Sequence, residues 1–455
     1  MKALFTILLA SLSISLLSQK QHYVDFWEND NKKTEGYYDR GLEHGEWKYF
    51  YLDGALEEKS NYWYGKLHGE VTLYYPNGQT KHQGFWILGK QDSLMTTWDK
   101  EGNILETGSY HKGAKMGRWN YFTSAGDTTL IEEYRDSLLL VWHYRNPEGK
   151  VLLRNGRGEL LEFHENGKLA SKTSMAEGIP NGSFTSFFRN GEIRETGDFV
   201  NGKKHGKWQE YFRDGELAEL ANFDQGVLHG EYNKYHRGGH PDVTGAYDQG
   251  KKEGVWTWTL ESGQKDMEGP FVADKQQGHW TFWYANGQVY YEGEFDQGLK
   301  QGEWIFYYWE GELWKKGEYI NDQRNGLWTT WFESGNKSME GEFVNDQEHG
   351  AWSSWYENGN DKDQGFYSHG VMSGQWKGWY PNNVHHYQGS WKNDFKFGEW
   401  SYWWETGLPN ETGSYNELGQ KTGRWETYNE AGVLEMKGNY KNGGPDGKWE
   451  YFYPN

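Results

Sequence analysis

The sequence predicts an all-β fold: an elongated antiparallel β-meander, a single twisted sheet built from about nineteen hairpin repeats. Three observations carry this prediction. A G-x-W mark returns every 24 residues; Asn-Gly or Asp-Gly dipeptides separate aromatic-rich runs; and 61 glycines stand against 9 prolines. Each 24-residue unit is too small to bury an apolar face alone, so it must stack on its neighbours.

The elements follow in chain order. Residues 1–18 read as a secretory signal: Met1-Lys2 gives a short basic start and Ala3–Leu17 an apolar stretch with small residues. Cleavage is expected near Ser18–Gln19, with an uncleaved anchor as the alternative. The protein is therefore expected to be exported, to a periplasm, a cell surface or the medium. There is no cysteine, so no disulfide framework supports the fold.

Residues 19–139 form N-terminal hairpin repeats, marked at Gly45/Trp47, Gly69/Val71, Ser93/Met95 and Gly117/Trp119. Two of these marks lack the tryptophan. Residues 140–181 are irregular or shortened repeats, next to the aliphatic run Leu138-Leu139-Leu140-Val141-Trp142. This stretch reads as a shortened hairpin packing its own kink, with a docking site or a seam between two arrays as alternatives. Residues 182–455 are regular repeats. Their structural tryptophans are Trp208, Trp256, Trp280, Trp304, Trp328, Trp352, Trp376 and Trp400, with Tyr232 in the one missing slot.

In the unit beginning at Gly302, counted as position 0, aromatics fill positions 2 and 4–7 and a turn falls at 8–9. Asn-Gly and Asp-Gly there suit a two-residue turn with both φ angles positive. A four-residue loop at 19–22 completes the unit. This scheme pairs 6 with 11, 4 with 13, 2 with 15 and 0 with 17, then 17 with the next unit's 0 and 15 with its 2. Each position-2 indole would lie between two position-15 glycines, such as Gly293, Gly317 and Gly341. A ring can cover bare backbone where two rings would collide.

The unit G-x-W-x-x-Y-Y-x-N-G … G-x-F-x-N-G-K resembles the MORN repeat family in its bacterial variant, from about residue 21 to 455. That resemblance implies a β-meander acting in binding or scaffolding, with lipid association often suggested; some bacterial members carry an antitoxin label. The net charge of −19 argues against nucleic-acid and anionic-membrane binding.

Chemistry is sparse. His44, His68, His205, His229 and His349 each stand one residue before a mark, and they read as turn residues rather than metal ligands. Asp361 and Asp363 lack the rest of a calcium loop. Nothing points to a metal, a cofactor or catalysis, and no enzyme is expected. By strand parity, position 5 faces away from positions 2, 4 and 6, yet it is aromatic at Trp283, Tyr307, Trp331, Trp355, Trp379 and Trp403. This candidate ladder is either a platform for an extended ligand or a second, minor core under long charged stems. The expected function is an exported protein-binding or scaffolding surface, with a toxin-neutralising partner or a surface glycan as alternatives. The sequence does not fix the oligomeric state.

Overall fold

A computed structural model describes residues 20–453, so the expected signal at 1–18 lies outside the described residues. The chain divides into two compact units, one ending at His205 and the next beginning at Gly206. The described residues form 39 strands and no helix. Within each unit, consecutive strands pair antiparallel in chain order. Leu42–Glu43 and Lys275–Gln276 are the first residues of strands interrupted at His44 and Gln277.

The hairpin Leu299–Tyr307/Leu313–Ile320 shows the unit. Gly302 faces Tyr319, Trp304 faces Gly317 and Phe306 faces Lys315, as the sequence predicts. The turn differs. The Gly311 N–H donates to the Tyr308 carbonyl at 3.0 Å, and the Tyr308 N–H donates to Glu312 at 2.7 Å. The register slips so that Tyr307 faces Leu313. This is a type I turn closed by a one-residue bulge. Only its last residue needs positive φ: Gly311 at 102°, with Asn383 taking the glycine's place at 66°. The predicted pairing of positions 6 and 11 is therefore wrong.

The two-residue turn falls at the other end of the unit. Asn321 and Asp322, at φ 50° and 67°, link Ile320 to Gln323, which face each other. Two positive φ angles mark the twist-matched turn of tight hairpins. The four-residue loop at 19–22 is thus shorter than predicted. Position 17 faces the residue two before the next mark, as Tyr319 faces Arg324, and not the next glycine. The extra length is absorbed in a bulge. Lys316 faces Thr329 and Glu318 faces Asn325, so Gly317 alone opposes Gly326, Leu327 and Trp328. Gly326 sits at φ 64°, and its counterparts do the same.

This bulge explains the tryptophan. The indole N–H of Trp304 donates to the Glu294 carbonyl at 3.1 Å, that of Trp328 to Glu318 at 3.1 Å and that of Trp400 to Ser390 at 3.0 Å. Each is the position-16 carbonyl beside the bulge, so the indole donates where the regular ladder is interrupted. The ring leans the same way. A Cβ on Gly317 would overlap the Trp328 indole, and one on Gly293 the Trp304 indole. A glycine is therefore needed on one side of each ring, not on both. The hairpin partner of Trp47 is Ser60 and that of Trp208 is Ala221.

The core is a row of rings along one face of the sheet. Trp280, Phe295, Trp304, Phe306, Trp328, Phe343 and Trp352 form its main cluster in the second unit. The position-17 ring meets the next indole edge-on: Phe295–Trp304 at 5.0 Å, Tyr319–Trp328 at 5.1 Å and Phe343–Trp352 at 5.1 Å. Such pairs add about 0.5–1.5 kcal/mol to the burial of the rings. A cation two residues before the mark caps several stacks. Lys300 Nζ lies 4.5 Å from the Trp304 ring and Lys396 Nζ 4.6 Å from the Trp400 ring. Burial lowers the pKa of Lys300, partly offset by Asp322.

The stretch 140–181 uses different chemistry. The strands Val151–Arg154 and Arg157–Phe163 make a short hairpin. The Val141 N–H reaches the Gly178 carbonyl at 2.8 Å. Val141, Leu153 and Met175 form a small aliphatic core. Position 15 here is Glu132, and the Trp142 indole donates to the Glu133 side chain at 2.8 Å rather than to a backbone carbonyl.

Candidate binding surfaces

Adjacent repeats are stitched at both turns, which fixes where the second face of the sheet presents its side chains. At the longer turn, the position-6 hydroxyl donates to the position-5 carbonyl of the next unit: Tyr284 to Tyr307 at 3.0 Å, Tyr308 to Trp331 at 2.8 Å, Tyr356 to Trp379 at 2.9 Å and Tyr380 to Trp403 at 2.9 Å. Beside it, position-8 asparagines reach the next unit, as Asn286 Nδ2 does to the Trp309 carbonyl at 2.8 Å. At the tighter turn, Asp322 accepts the Lys300 N–H at 2.8 Å and Asp346 the Arg324 N–H at 3.0 Å.

In several units the residue before the mark accepts from the following turn. Gln301 takes the Asn321 N–H at 3.1 Å, and His68 takes the Leu88 N–H at 3.4 Å. His68 thus serves the turn, whereas Nδ1 of His44 and of His349 is buried without a hydrogen-bond partner. His349 packs edge-on to His369 at 4.9 Å. Among the described residues no cluster of histidine and carboxylate side chains could hold a metal ion. Asp363 accepts the Tyr387 hydroxyl at 2.6 Å, a packing role.

The position-5 ladder sits on the face opposite the indole core. Trp283, Tyr307, Trp331, Trp355, Trp379 and Trp403 are all half-buried. Charged and polar neighbours flank them. Lys265 Nζ lies 5.4 Å from the Trp283 ring and Lys337 Nζ 5.7 Å from Trp355. Lys337 also pairs with Glu340 at 2.6 Å, which accepts from Thr329 at 3.0 Å. Burial opposes the Glu340 charge, but Lys337 and Thr329 outweigh it and hold its pKa below the usual carboxylate value. The Tyr307 hydroxyl donates to Glu292 at 3.0 Å; its burial, then that bond, raise its pKa. His385 wedges between Trp379 at 5.3 Å and Trp403 at 5.7 Å. Rings and charged stems therefore share this face, and neither covers it completely.

Around Val71, on the indole side, the row of rings is broken by an apolar hollow of about 400 Å³. Its sequence signal is the missing tryptophan at two successive marks.

These features define a β-hairpin repeat protein in which, within each compact unit, described repeats interlock with their neighbours along the chain. More narrowly, the chain belongs to the MORN-repeat family: residues 43–64, 67–87, 157–176, 204–225, 276–297, 324–345 and 421–442 match the MORN repeat variant. No curated protein matches the chain significantly. Among solved structures it is similar to the TcdB2–TccC3–Cdc42 complex, at 10% identity over 95% of this chain and 27% of that one, with a TM-score of 0.14. A Tc holotoxin pore from Photorhabdus luminescens matches at 10% identity, over 94% of this chain and 29% of that one, with a TM-score of 0.14. An alternansucrase in complex with isomaltononaose matches at 14% identity, over 53% and 20%, with a TM-score of 0.13. The chain thus spans under a third of each of these chains, and scores this low relate neither fold nor function.

Proposed function

We propose that this protein is an exported, non-enzymatic repeat protein whose position-5 face, centred on Trp331, Trp355 and Trp379, docks a protein partner. The observation that carries this reading is the asymmetry of the sheet. One face is closed over its indoles in the regular units, whereas the other keeps a half-buried ring in most units, Trp283 and Tyr307 to Trp403 among them, beside lysine, glutamate and threonine side chains. Aromatic anchors in a polar surround are the composition of a protein interface. The net charge of −19 favours a basic partner over nucleic acid.

A glycan is the second reading, favoured by the even ladder step of roughly 10 Å set by two strand spacings. The test is recovery of the partner from native cell envelope with the intact protein and with a Trp331→Ala, Trp355→Ala, Trp379→Ala variant. Loss of a protein partner in the variant supports docking on this face. Retention of every partner removes the face from consideration, and release by added oligosaccharide alone favours the glycan.

A further inference from the structure

The hollow around Val71 lies in the first unit, far along the chain from Trp331, Trp355 and Trp379, so it does not rest on the proposed docking surface; the position-5 residue Trp98 belongs to its wall. Its origin is a local subtraction of rings. Positions 2 and 4 hold Trp280 and Phe282 in one regular unit and Trp304 and Phe306 in the next, but Val71 and Leu73, then Met95 and Thr97, in two successive units here. The size of the gap follows the size of the loss. Where position 4 alone shrinks, at Ser354 and Gly378 in adjacent units, with Trp352 and Trp376 retained, the hollow is about 130 Å³. Where positions 2 and 4 both shrink in adjacent units it is about 400 Å³. That volume is within the range of small-ligand sites, roughly 300–1,000 Å³.

The walls are specific. Leu67, Val71, Leu73 and the Trp86 ring give apolar sides, while Glu58 and Lys81 provide charged groups. Ser60, fully buried opposite Val71, donates to the Glu58 carboxylate. His82, also in the wall, is held toward its neutral form by burial. Gln91, facing Trp86 across the strands, buries an amide nitrogen with no partner. Among the described residues no side chain fills this space, and Ser60 carries a Cβ where regular units carry the bare glycine beneath an indole.

We propose that this hollow is a binding site for a planar aromatic molecule the size of an indole that carries an N–H donor. The ring replaces the indole this part of the repeat lacks. The N–H is received by the Glu58 carboxylate, an anionic acceptor that makes charge-assisted hydrogen bonds.

The experiment is a titration of the full-length protein, methyl-labelled at leucine and valine, with indole and with benzofuran, its isostere without the N–H. Saturable shifts are expected at Val71 and Leu73 and not at Val344. Indole should bind at least about fivefold more tightly than benzofuran, about 1 kcal/mol by the affinity relation. Ser60→Gly with Val71→Trp, which rebuilds the regular slot, should weaken indole binding at least tenfold. If that variant does not fold, Leu73→Phe fills the same space and should do the same. Absence of saturable shifts in the parent protein, or unchanged affinity in a folded refilled variant, overturns the site. Equal binding of the two probes overturns the donor requirement.

Discussion

Two regions of this protein solve the same packing problem with different materials. From Gly278 to Trp352 each unit places an indole over a glycine across the bulge. Between Tyr62 and Tyr110 the indole is missing twice, and at 140–181 an aliphatic trio replaces it. The difference lies in what stands opposite. Trp256, Trp280, Trp304, Trp328, Trp352, Trp376 and Trp400 lie over Gly245, Gly269, Gly293, Gly317, Gly341, Gly365 and Gly389. Where the ring is smaller, a Cβ appears instead at three places: Val71 faces Ser60, Phe184 faces Thr173 and Tyr232 faces Ala221; Met95 keeps Gly84 across its bulge, and there the Trp86 ring takes the glycine's space. Ring and bare backbone are therefore one coupled element. The glycine is set by the indole it carries, since its own φ is not in the positive range.

The largest effects should come from breaking that element in its regular form. Gly317→Ala puts a Cβ into the Trp328 ring and should cost about 3 kcal/mol as overpacking. Trp304→Ala, at a fully buried site, should cost about 3–5 kcal/mol through the lost ring and the cavity it leaves. Urea unfolding of each variant checks both. A Gly317→Ala cost under 1 kcal/mol would mean that the indole simply moves aside.

Alkaline pH gives the next effect. Burial raises the Tyr232 hydroxyl, with help from Glu219, to about 12; burial and then its hydrogen bond to Glu132 raise Tyr134 to about 12. Both groups keep a proton in the folded state that the unfolded chain releases near pH 10. Their contribution is thus complete below that pH and is lost as pH climbs toward 12. Lys300 and Lys396 have the opposite sign: burial depresses them, and the penalty on their charge fades as pH rises toward 10.5. The raised tyrosines outnumber the depressed lysines, so net stability should fall above pH 10. Tyr232→Phe should flatten that fall in pH-dependent unfolding, and a steeper fall would contradict the assignment.

At the turns, Gly302→Ala should cost about 1–2 kcal/mol for its left-handed backbone. Asn286→Ala should cost about 1 kcal/mol for the bond to the neighbouring unit. Thermal unfolding of the two variants should rank them in that order.

The ring-over-glycine pairing was legible because both partners recur at a fixed spacing. The turns were not, and for a definite reason. Asn-Gly fits the tight two-residue turn so well that positions 8–9 took the assignment. Yet position 8 is also Glu310, Ser334 and Thr406, residues poorly suited to positive φ, which points to a turn needing only one such residue. The bulge at each mark was hidden because a glycine in a strand is equally a partner for a ring. The one-sided lean of the indole depends on that bulge, so it too could not be read from spacing. The ladder at position 5 was legible as a column of rings. Its half-buried state was not, because it depends on where Lys265, Lys337 and His385 come to rest.

The smallest expected effect tests the pairing most directly. Ala221→Gly restores the glycine of the regular units at a place where Tyr232, not an indole, stands across the bulge. No ring needs the space, so the substitution only loses a buried methyl and loosens the backbone, about 1 kcal/mol in all. Its effect should be a loss about a third as large as that of Gly317→Ala, measured by the same unfolding experiment. A gain in stability would show that glycine is favoured there whatever ring faces it, and the coupling between ring and backbone would have to be abandoned.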